Sequence, residues 1–135
     1  MGFDLKPRNK AAGMYHAIGW TWMLEAGVGL VLCVGRGVEP GTFVYRMRPD
    51  GNCPYYNDGC RVSAKEAREM ARLARLLADY QDVLYDVWMK TPEDKRARIE
   101  NRFDPIYHLP VRRDFVGGAR EFADWAEKSG GFEIH

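Results

Sequence analysis

The sequence predicts a mainly α-helical fold: a single compact domain, residues 1–135, with about four helices and at most a small β-hairpin. Three observations lead to this prediction. A long apolar run follows Asn9, a capping box at residues 63–66 precedes an amphipathic stretch, and 46% of the 135 residues are hydrophobic. A chain of this length forms one domain that buries roughly two-thirds of its unfolded surface. No internal repeat or low-complexity linker divides it.

The first predicted helix starts after Asn9, a good N-cap residue, and runs to about Ala26. Its apolar residues nearly encircle it, as expected for a helix that is buried on most sides. Residues 28–34 form a short β-branched run that predicts a strand. Residues 42–48 alternate in polarity, so they are expected to pair with that strand through a turn at residues 38–41.

The second predicted helix has the clearest signals. Ser63 and Glu66 form a capping box, in which each side chain accepts a hydrogen bond from the other residue's backbone amide. Apolar residues then recur at spacings of three and four, which predicts a helix as far as Trp88 or Met89. This predicted core stripe comprises Met70, Leu73, Leu77, Tyr80, Leu84 and Val87.

Two further helices complete the predicted fold. Thr91, Pro92 and the acidic residues after them are typical of a helix start. The last helix begins at about Arg113 and stops at Gly130 and Gly131. Its predicted buried face is formed by Phe115, Ala119, Phe122 and Ala126.

Charge and cysteine content limit the function classes. A formal net charge of +1 provides no overall field that would attract nucleic acid, so we expect no DNA or RNA partner. The three cysteines and the lack of a basic-then-apolar start favour a cytoplasmic protein with free thiols. Zinc could be held by Cys53 and Cys60 with His16 or His108, but their spacing matches no zinc motif. We therefore expect no metal.

The apolar stretch at residues 11–34 is long enough to span a bilayer. However, His16 and Glu25 lie within it, and Trp20 and Trp22 lie near its middle rather than at interfacial ends. Several glycines also interrupt it. The pattern favours a core helix followed by a buried strand, with no membrane partner.

One outward face of the second helix is basic in its first half and acidic in its second, an order that opposes the helix dipole. The basic residues are Arg61, Lys65, Arg68, Arg72 and Arg75, and the acidic residues are Asp79, Asp82 and Asp86. A solvated surface accounts for this pattern. A homo-oligomer also accounts for it, because an antiparallel twofold partner would pair each basic half with an acidic half. The acidic half disfavours nucleic acid.

Flat aromatic side chains near the start of the chain predict a platform on which a base can stack. Tyr15, Trp20 and Trp22 supply the rings, and His16 lies beside them. A stacked base contributes about 1–3 kcal/mol to binding. The same residues are also typical of a hydrophobic core with one hydrogen-bonded histidine, and this alternative stays open.

Tyr56, Asn57 and Asp58 lie in a loop just before the second helix. In one interpretation this loop is a simple turn, since Asn, Asp and Gly favour left-handed backbone. In the other, amides at the helix start hold a phosphate or carboxylate, and Asn57 and Asp58 contact a ribose or base. Arg61 and Arg112 would then neutralise the phosphate.

The sequence argues against an enzyme. It contains no Walker loop, no Gly-x-Ser-x-Gly elbow and no His-Glu-x-x-His helix, and we expect no cofactor. A hydrolase that depends on His16 or His108 is the catalytic alternative.

Several segments resemble a family of small uncharacterised phage and bacterial proteins. These segments are the Met-Gly-Phe-Asp-Leu start, Trp20-x-Trp22, Asn57-Asp58-Gly59 before the capped helix, and Gly-Gly-Phe-Glu-Ile at residues 130–134. Small phage proteins of this kind include oligomeric sponges that sequester nucleotide immune signals, namely cyclic ADP-ribose isomers and cyclic oligonucleotides.

The resemblance implies a non-catalytic, homo-oligomeric anti-defence protein that holds a nucleotide-derived ligand in the host cytosol. Two other function classes remain as alternatives. One is a protein–protein interaction module that inhibits a host defence protein, and the other is a phosphodiesterase-like enzyme that degrades the signal.

Overall fold

The structure is a computed structural model that describes residues 2–32, 34–36, 43–45, 53–54, 57, 59–95 and 113–135. Within these residues, three α-helices of at least seven residues and a four-stranded antiparallel sheet share one core. The helices are α1 (Trp20–Ala26), α2 (Ala64–Lys90) and α3 (Arg113–Ser129). The predicted mainly α fold of about four helices is therefore wrong, because the sheet adds a second layer and makes the protein mixed α/β.

The sheet joins strands from both ends and the middle of the chain. In chain order the described strands are β1 (Phe3–Pro7), β2 (Tyr15–Ala17), β3 (Val34–Arg36), β4 (Phe43–Tyr45), β5 (Cys60–Ser63) and β6 (Gly131–Ile134). The four-stranded sheet has the order β2-β1-β6-β5, with every neighbouring pair antiparallel. The strand nearest the end of the chain, β6, therefore lies between β1 and β5.

The register of this sheet separates a core face from an outer face. Leu5, Ile134 and Cys60 lie side by side across β1, β6 and β5, and all three are fully buried. Since successive residues of a strand point to opposite faces, the next row lies on the outer face. The outer row comprises Lys6, Glu133 and Arg61.

The predicted second helix is confirmed. Helix α2 follows β5 directly, and the Ser63 hydroxyl accepts a hydrogen bond from the Glu66 amide at 3.1 Å. The Glu66 carboxylate in turn accepts from the Ser63 amide at 2.9 Å. The helix ends at Lys90, next to the predicted Met89.

The face that α2 buries differs from the predicted stripe. Tyr80 and Val87, two members of that stripe, are mostly exposed. Met70 is buried as the stripe predicts, and the other buried positions are four alanines that the stripe does not include, namely Ala67, Ala71, Ala74 and Ala78. They face an equally small set on α3, formed by Ala119, Ala123 and Ala126, which lets the two helices approach closely. Small side chains therefore form much of the buried face of α2, and a pattern of large apolar residues does not detect them.

Helices α2 and α3 run antiparallel and are joined by ion pairs along one edge. Arg75 donates to Asp124 at 2.8 Å and also to Glu127, while Arg120 donates to Asp79 at 2.9 Å. The centre of the charged face of α2 thus pairs with α3 of the same chain. This intramolecular pairing is the antiparallel charge matching that the sequence led us to expect from a second subunit.

The first predicted helix is wrong over its first half. Lys10–Ala12 forms a 3-10 turn, β2 follows, and only Trp20–Ala26 is α-helical. Gly13 and Gly19, with φ of 74° and 73°, interrupt the run because right-handed helix requires negative φ.

The predicted hairpin is present but shorter than expected. Val28–Leu32 is a 3-10 helix, and only Val34–Arg36 of the predicted strand pairs with Phe43–Tyr45. The turn predicted at residues 38–41 lies outside the described residues.

The two later helix predictions hold where they can be compared. Residues 93–95 are helical, at the predicted start of the third helix, whose remainder lies outside the described residues. Helix α3 begins at Arg113 and ends at Ser129, as predicted, and buries Ala119, Phe122 and Ala126. None of the helices formed by the described residues is long and apolar enough to cross a membrane.

Candidate functional site

Two of the predicted stacking residues lie on the core side of the sheet. The Tyr15 ring is half-buried and packs 5.4 Å from Trp125 and 6.2 Å from Phe122, measured between ring centroids. Burial raises the pKa of the Tyr15 hydroxyl, with a smaller contribution from Glu121. Trp20 is 1% exposed, and its indole N–H donates to the Pro54 carbonyl at 2.9 Å. Trp20 therefore presents no free ring face to a ligand.

Two other predicted site residues, His16 and Arg61, lie on the outer face of the sheet. His16 alternates with Tyr15 along β2 and is 76% exposed. Arg61 lies on the edge strand β5, and Asn57 is exposed just before that strand. The structure therefore puts His16 and Arg61 on the same face, although on opposite edge strands of the sheet, and separates both from Tyr15 and Trp20. The remaining predicted site positions, namely the Trp22 side chain, Tyr56, Asp58 and Arg112, lie outside the described residues, as does His108.

The first row of the outer face contains two histidines around one aspartate. His16 Nδ1 bonds to the Asp4 carboxylate across the β1–β2 pair. On the other side of Asp4, His135 exchanges two backbone hydrogen bonds with it, at 2.7 and 2.8 Å. His16, Asp4 and His135 thus lie side by side, on β2, on β1 and directly after β6.

The second row alternates in charge. Glu133 lies between Lys6 and Arg61, and its carboxylate is 3.4 Å from Arg61 Nε and 3.0 Å from His135 Nε2. The hydrogen bond from His135, followed by the charges of Arg61 and Lys6, holds the pKa of Glu133 below its usual value. One carboxylate is therefore shared among several cationic or donor groups.

An open depression of about 500 Å³ lies where this face meets the start of α2. Lys6, Arg8 and Arg61 contribute three cationic side chains to its lining. Glu66 and Glu133 contribute two carboxylates, but Glu66 is bonded to the Ser63 amide and Glu133 is shared as described above. The depression therefore has an excess of positive charge and suits an anion.

The sequence predictions missed most of this surface. Asp4, Lys6 and Arg8 alternate with Phe3 and Leu5, and this period of two is the signature of a half-buried strand. Residues 131–135 alternate in the same way, since Phe132 and Ile134 are buried and the glutamate and histidine beside them lie outward. The two segments are too short to be distinctive alone, because each becomes a stable strand only by pairing with the other.

The zinc site considered from the sequence involves two cysteines that the structure describes. Cys53 and Cys60 are both buried. Within the described part of the chain, no group of three or more His, Cys, Asp or Glu side chains is placed to hold a metal ion.

Comparison of the chain with protein-family models, with curated proteins and with solved structures finds no match.

Proposed function

We propose that this protein binds and sequesters a small phosphate-bearing ligand derived from a nucleotide, without catalysing a reaction on it. The observation that carries the proposal is the convergence of Lys6, Arg8 and Arg61 on one depression at the outer face of the sheet. Arginine side chains recognise phosphate with paired hydrogen bonds, and lysine adds a point charge.

Arg61 is the central residue of the proposed site. Its side chain is 79% exposed, and a carboxylate oxygen of Glu133 lies 3.4 Å from its Nε atom. An exposed ion pair of this length contributes little to stability, so a phosphate can replace Glu133 as the partner of the guanidinium with little loss of stability. Little of the free energy of the Arg61–phosphate contact is then lost in breaking the ion pair with Glu133.

The row formed by His16, Asp4 and His135 supports a nucleotide-derived ligand rather than an inorganic anion. This row continues the same outer face beyond the cationic depression and presents both hydrogen-bond donors and acceptors. A ligand whose phosphate lies at Arg61 can extend its ribose or base along it. Cyclic ADP-ribose isomers and cyclic oligonucleotides are the first candidates, because the sequence resembles small phage proteins.

The test is a thermal shift and calorimetry panel with cyclic ADP-ribose isomers and cyclic dinucleotides. A ligand that binds only the folded protein raises its Tm, by an amount that grows with ligand concentration. Removing a hydrogen bond to a charged group costs about 1.5–3 kcal/mol, so Arg61→Ala should weaken binding roughly 10- to 100-fold. Arg68→Ala is the matched control, because Arg68 is an exposed α2 arginine that does not line the depression.

Equal affinities for Arg61→Ala and Arg68→Ala would contradict this site. No Tm shift with any panel member would contradict the ligand class and favour the alternative of a host protein partner.

A specific observation supports a second candidate function, a phosphodiesterase-like enzyme. His16 is bonded to Asp4 and His135 to Glu133, and both imidazole–carboxylate pairs lie on the face that carries Arg61. A histidine held in this way can act as a general acid or base on a phosphodiester. After incubation and heat denaturation, the released ligand separates the two functions. Intact ligand after incubation with the wild-type protein supports sequestration. Ligand that the wild-type protein cleaves and that His16→Ala leaves intact supports the enzyme.

A further inference from the structure

The C-terminal half of α2 carries large apolar side chains that face away from the core. Leu76, Tyr80, Val83 and Val87 are between 58% and 64% exposed. We call these four residues the α2 stripe. At 100° per residue they lie within about 60° of the helix circumference, so they form one continuous line. Single exposed apolar residues are common on protein surfaces, but an aligned set of four is not explained by the packing of the residues that the structure describes.

The spacing of the α2 stripe is that of a helix–helix seam. Its members follow one another at intervals of four, three and four residues, and half-buried Leu73 extends the series by three at the N-terminal side. This alternation is the a/d pattern with which two helices pack knobs into holes. The stripe therefore fits the side of another helix better than it fits an extended peptide or a flat surface.

Charges beside the α2 stripe are arranged so that they match a second copy of α2. Arg72 and Asp86 are exposed, lie on the same flank of the stripe, and are placed seven residues before and seven residues after Asp79. An antiparallel twofold axis at Asp79 therefore puts Arg72 of each copy beside Asp86 of the second copy. A parallel twofold arrangement would put the flank that carries Arg72 and Asp86 on opposite sides of the two helices and would lose both attractions.

The same register pairs the apolar side chains. With the axis at Asp79, Leu76 comes within one residue of the level of Val83 of the second copy, and Tyr80 lies level with the gap between Leu76 and Tyr80 of the second copy. The one like-charge contact is at the axis, where each Asp79 is already hydrogen-bonded to its own Arg120 at 2.9 Å. We propose that the protein forms a homodimer through antiparallel packing of the α2 stripe. The axis lies near the middle of the 27-residue helix, so the two helices overlap over most of their length.

This dimer goes beyond the proposed ligand site and can be tested separately. Sedimentation equilibrium of the full chain should give twice the 15.5 kDa of one subunit. Leu76→Glu should weaken dimerisation by at least about 30-fold, the effect of losing one central contact. Leu30→Glu is the matched control, since Leu30 is 67% exposed but lies outside α2, and it should leave the dimer unchanged.

Charge reversal tests the antiparallel register. Arg72→Asp alone or Asp86→Arg alone should each weaken the dimer, because each places like charges together. The double variant Arg72→Asp/Asp86→Arg should restore it, because the pair is rebuilt with opposite sign. Far-UV circular dichroism checks that every variant retains its helices.

A wild-type monomer at tens of micromolar would overturn the proposal. A dimer that Leu76→Glu leaves intact would also overturn it, as would a double charge variant that fails to recover. Failure of the ligand panel would not bear on these results, because neither Leu76 nor Arg72 lines the cationic depression.

Discussion

At the scale of single residues, Gly131 shows how tightly the end of α3 is joined to the sheet. Its φ is 98°, and a Cβ atom there would lie 2.7 Å from the Val62 carbonyl oxygen and 3.0 Å from the Ala64 amide nitrogen. These contacts are with backbone, which cannot move aside as a flexible side chain would. The position at which β6 begins therefore requires glycine for both its conformation and its space.

We expect Gly131→Ala to destabilise the protein by about 2–3 kcal/mol or more, because left-handed strain and a backbone clash occur together. The measurement is the free energy of unfolding in urea. Gly117→Ala is the control, since Gly117 is an exposed helical residue with no atoms near its missing Cβ. That change should be neutral or stabilise by about 0.5–1 kcal/mol. Similar losses for both variants would argue against the close approach of β6 to β5.

At the scale of elements, the ion pairs between α2 and α3 make stability depend on pH. The hydrogen bond and charge of Arg75 hold the pKa of Glu127 below its usual value of 4.5. A carboxylate whose pKa is lower in the folded state stabilises that state above its unfolded pKa. This contribution is lost as the pH falls through the folded pKa, below about 4.5.

We therefore expect the free energy of unfolding to fall between pH 6 and pH 3, and to fall less in Arg75→Gln, which releases Glu127 from its partner. Urea titrations at half-unit intervals of pH measure both slopes. Arg68→Gln is the matched control, because Arg68 is exposed on α2 and should leave the wild-type slope unchanged. The same slope in Arg75→Gln and wild type would show that the Arg75–Glu127 pair does not contribute to the pH dependence of stability.

The elements also show which parts of the structure a single sequence can predict. Helix α2 was predictable because its capping box and its periodicity are local signals. Strands β1 and β6 were not, because each is five residues or fewer and depends on a partner about 130 positions away. For the same reason the cationic depression was predicted only through Arg61, since Lys6 and Arg8 reach it by strand pairing.

At the scale of the whole molecule, one aromatic cluster connects the helices to the sheet. Phe122 of α3 is fully buried, and its ring centroid is 5.6 Å from Trp20 of α1 and 6.1 Å from Phe132 of β6. Trp125 lies 5.3 Å from the same Phe132 ring. Each of these contacts crosses between elements, so the cluster should unfold as a unit.

Phe122→Ala should destabilise the protein by about 3–5 kcal/mol, because it removes a large ring and leaves a cavity in this cluster. Tryptophan fluorescence and far-UV circular dichroism should still report one shared transition, shifted to lower temperature. Leu30→Ala, at a mostly exposed position, should change stability by less than about 0.5 kcal/mol. Separate transitions for the two probes would show that helices and sheet are not coupled through Phe122.

The central place of β6 in the sheet has a consequence for biosynthesis. Leu5 pairs with Ile134, so the ribosome must add 129 residues after Leu5 before β1 can meet this neighbour. At about 5–20 residues per second, that interval is roughly 6–26 s. Strand β5 also waits for β6, since it touches β1 only through that strand. The nascent chain therefore exposes unpaired strand edges for several seconds, and the sheet is completed only after β6 has left the ribosome.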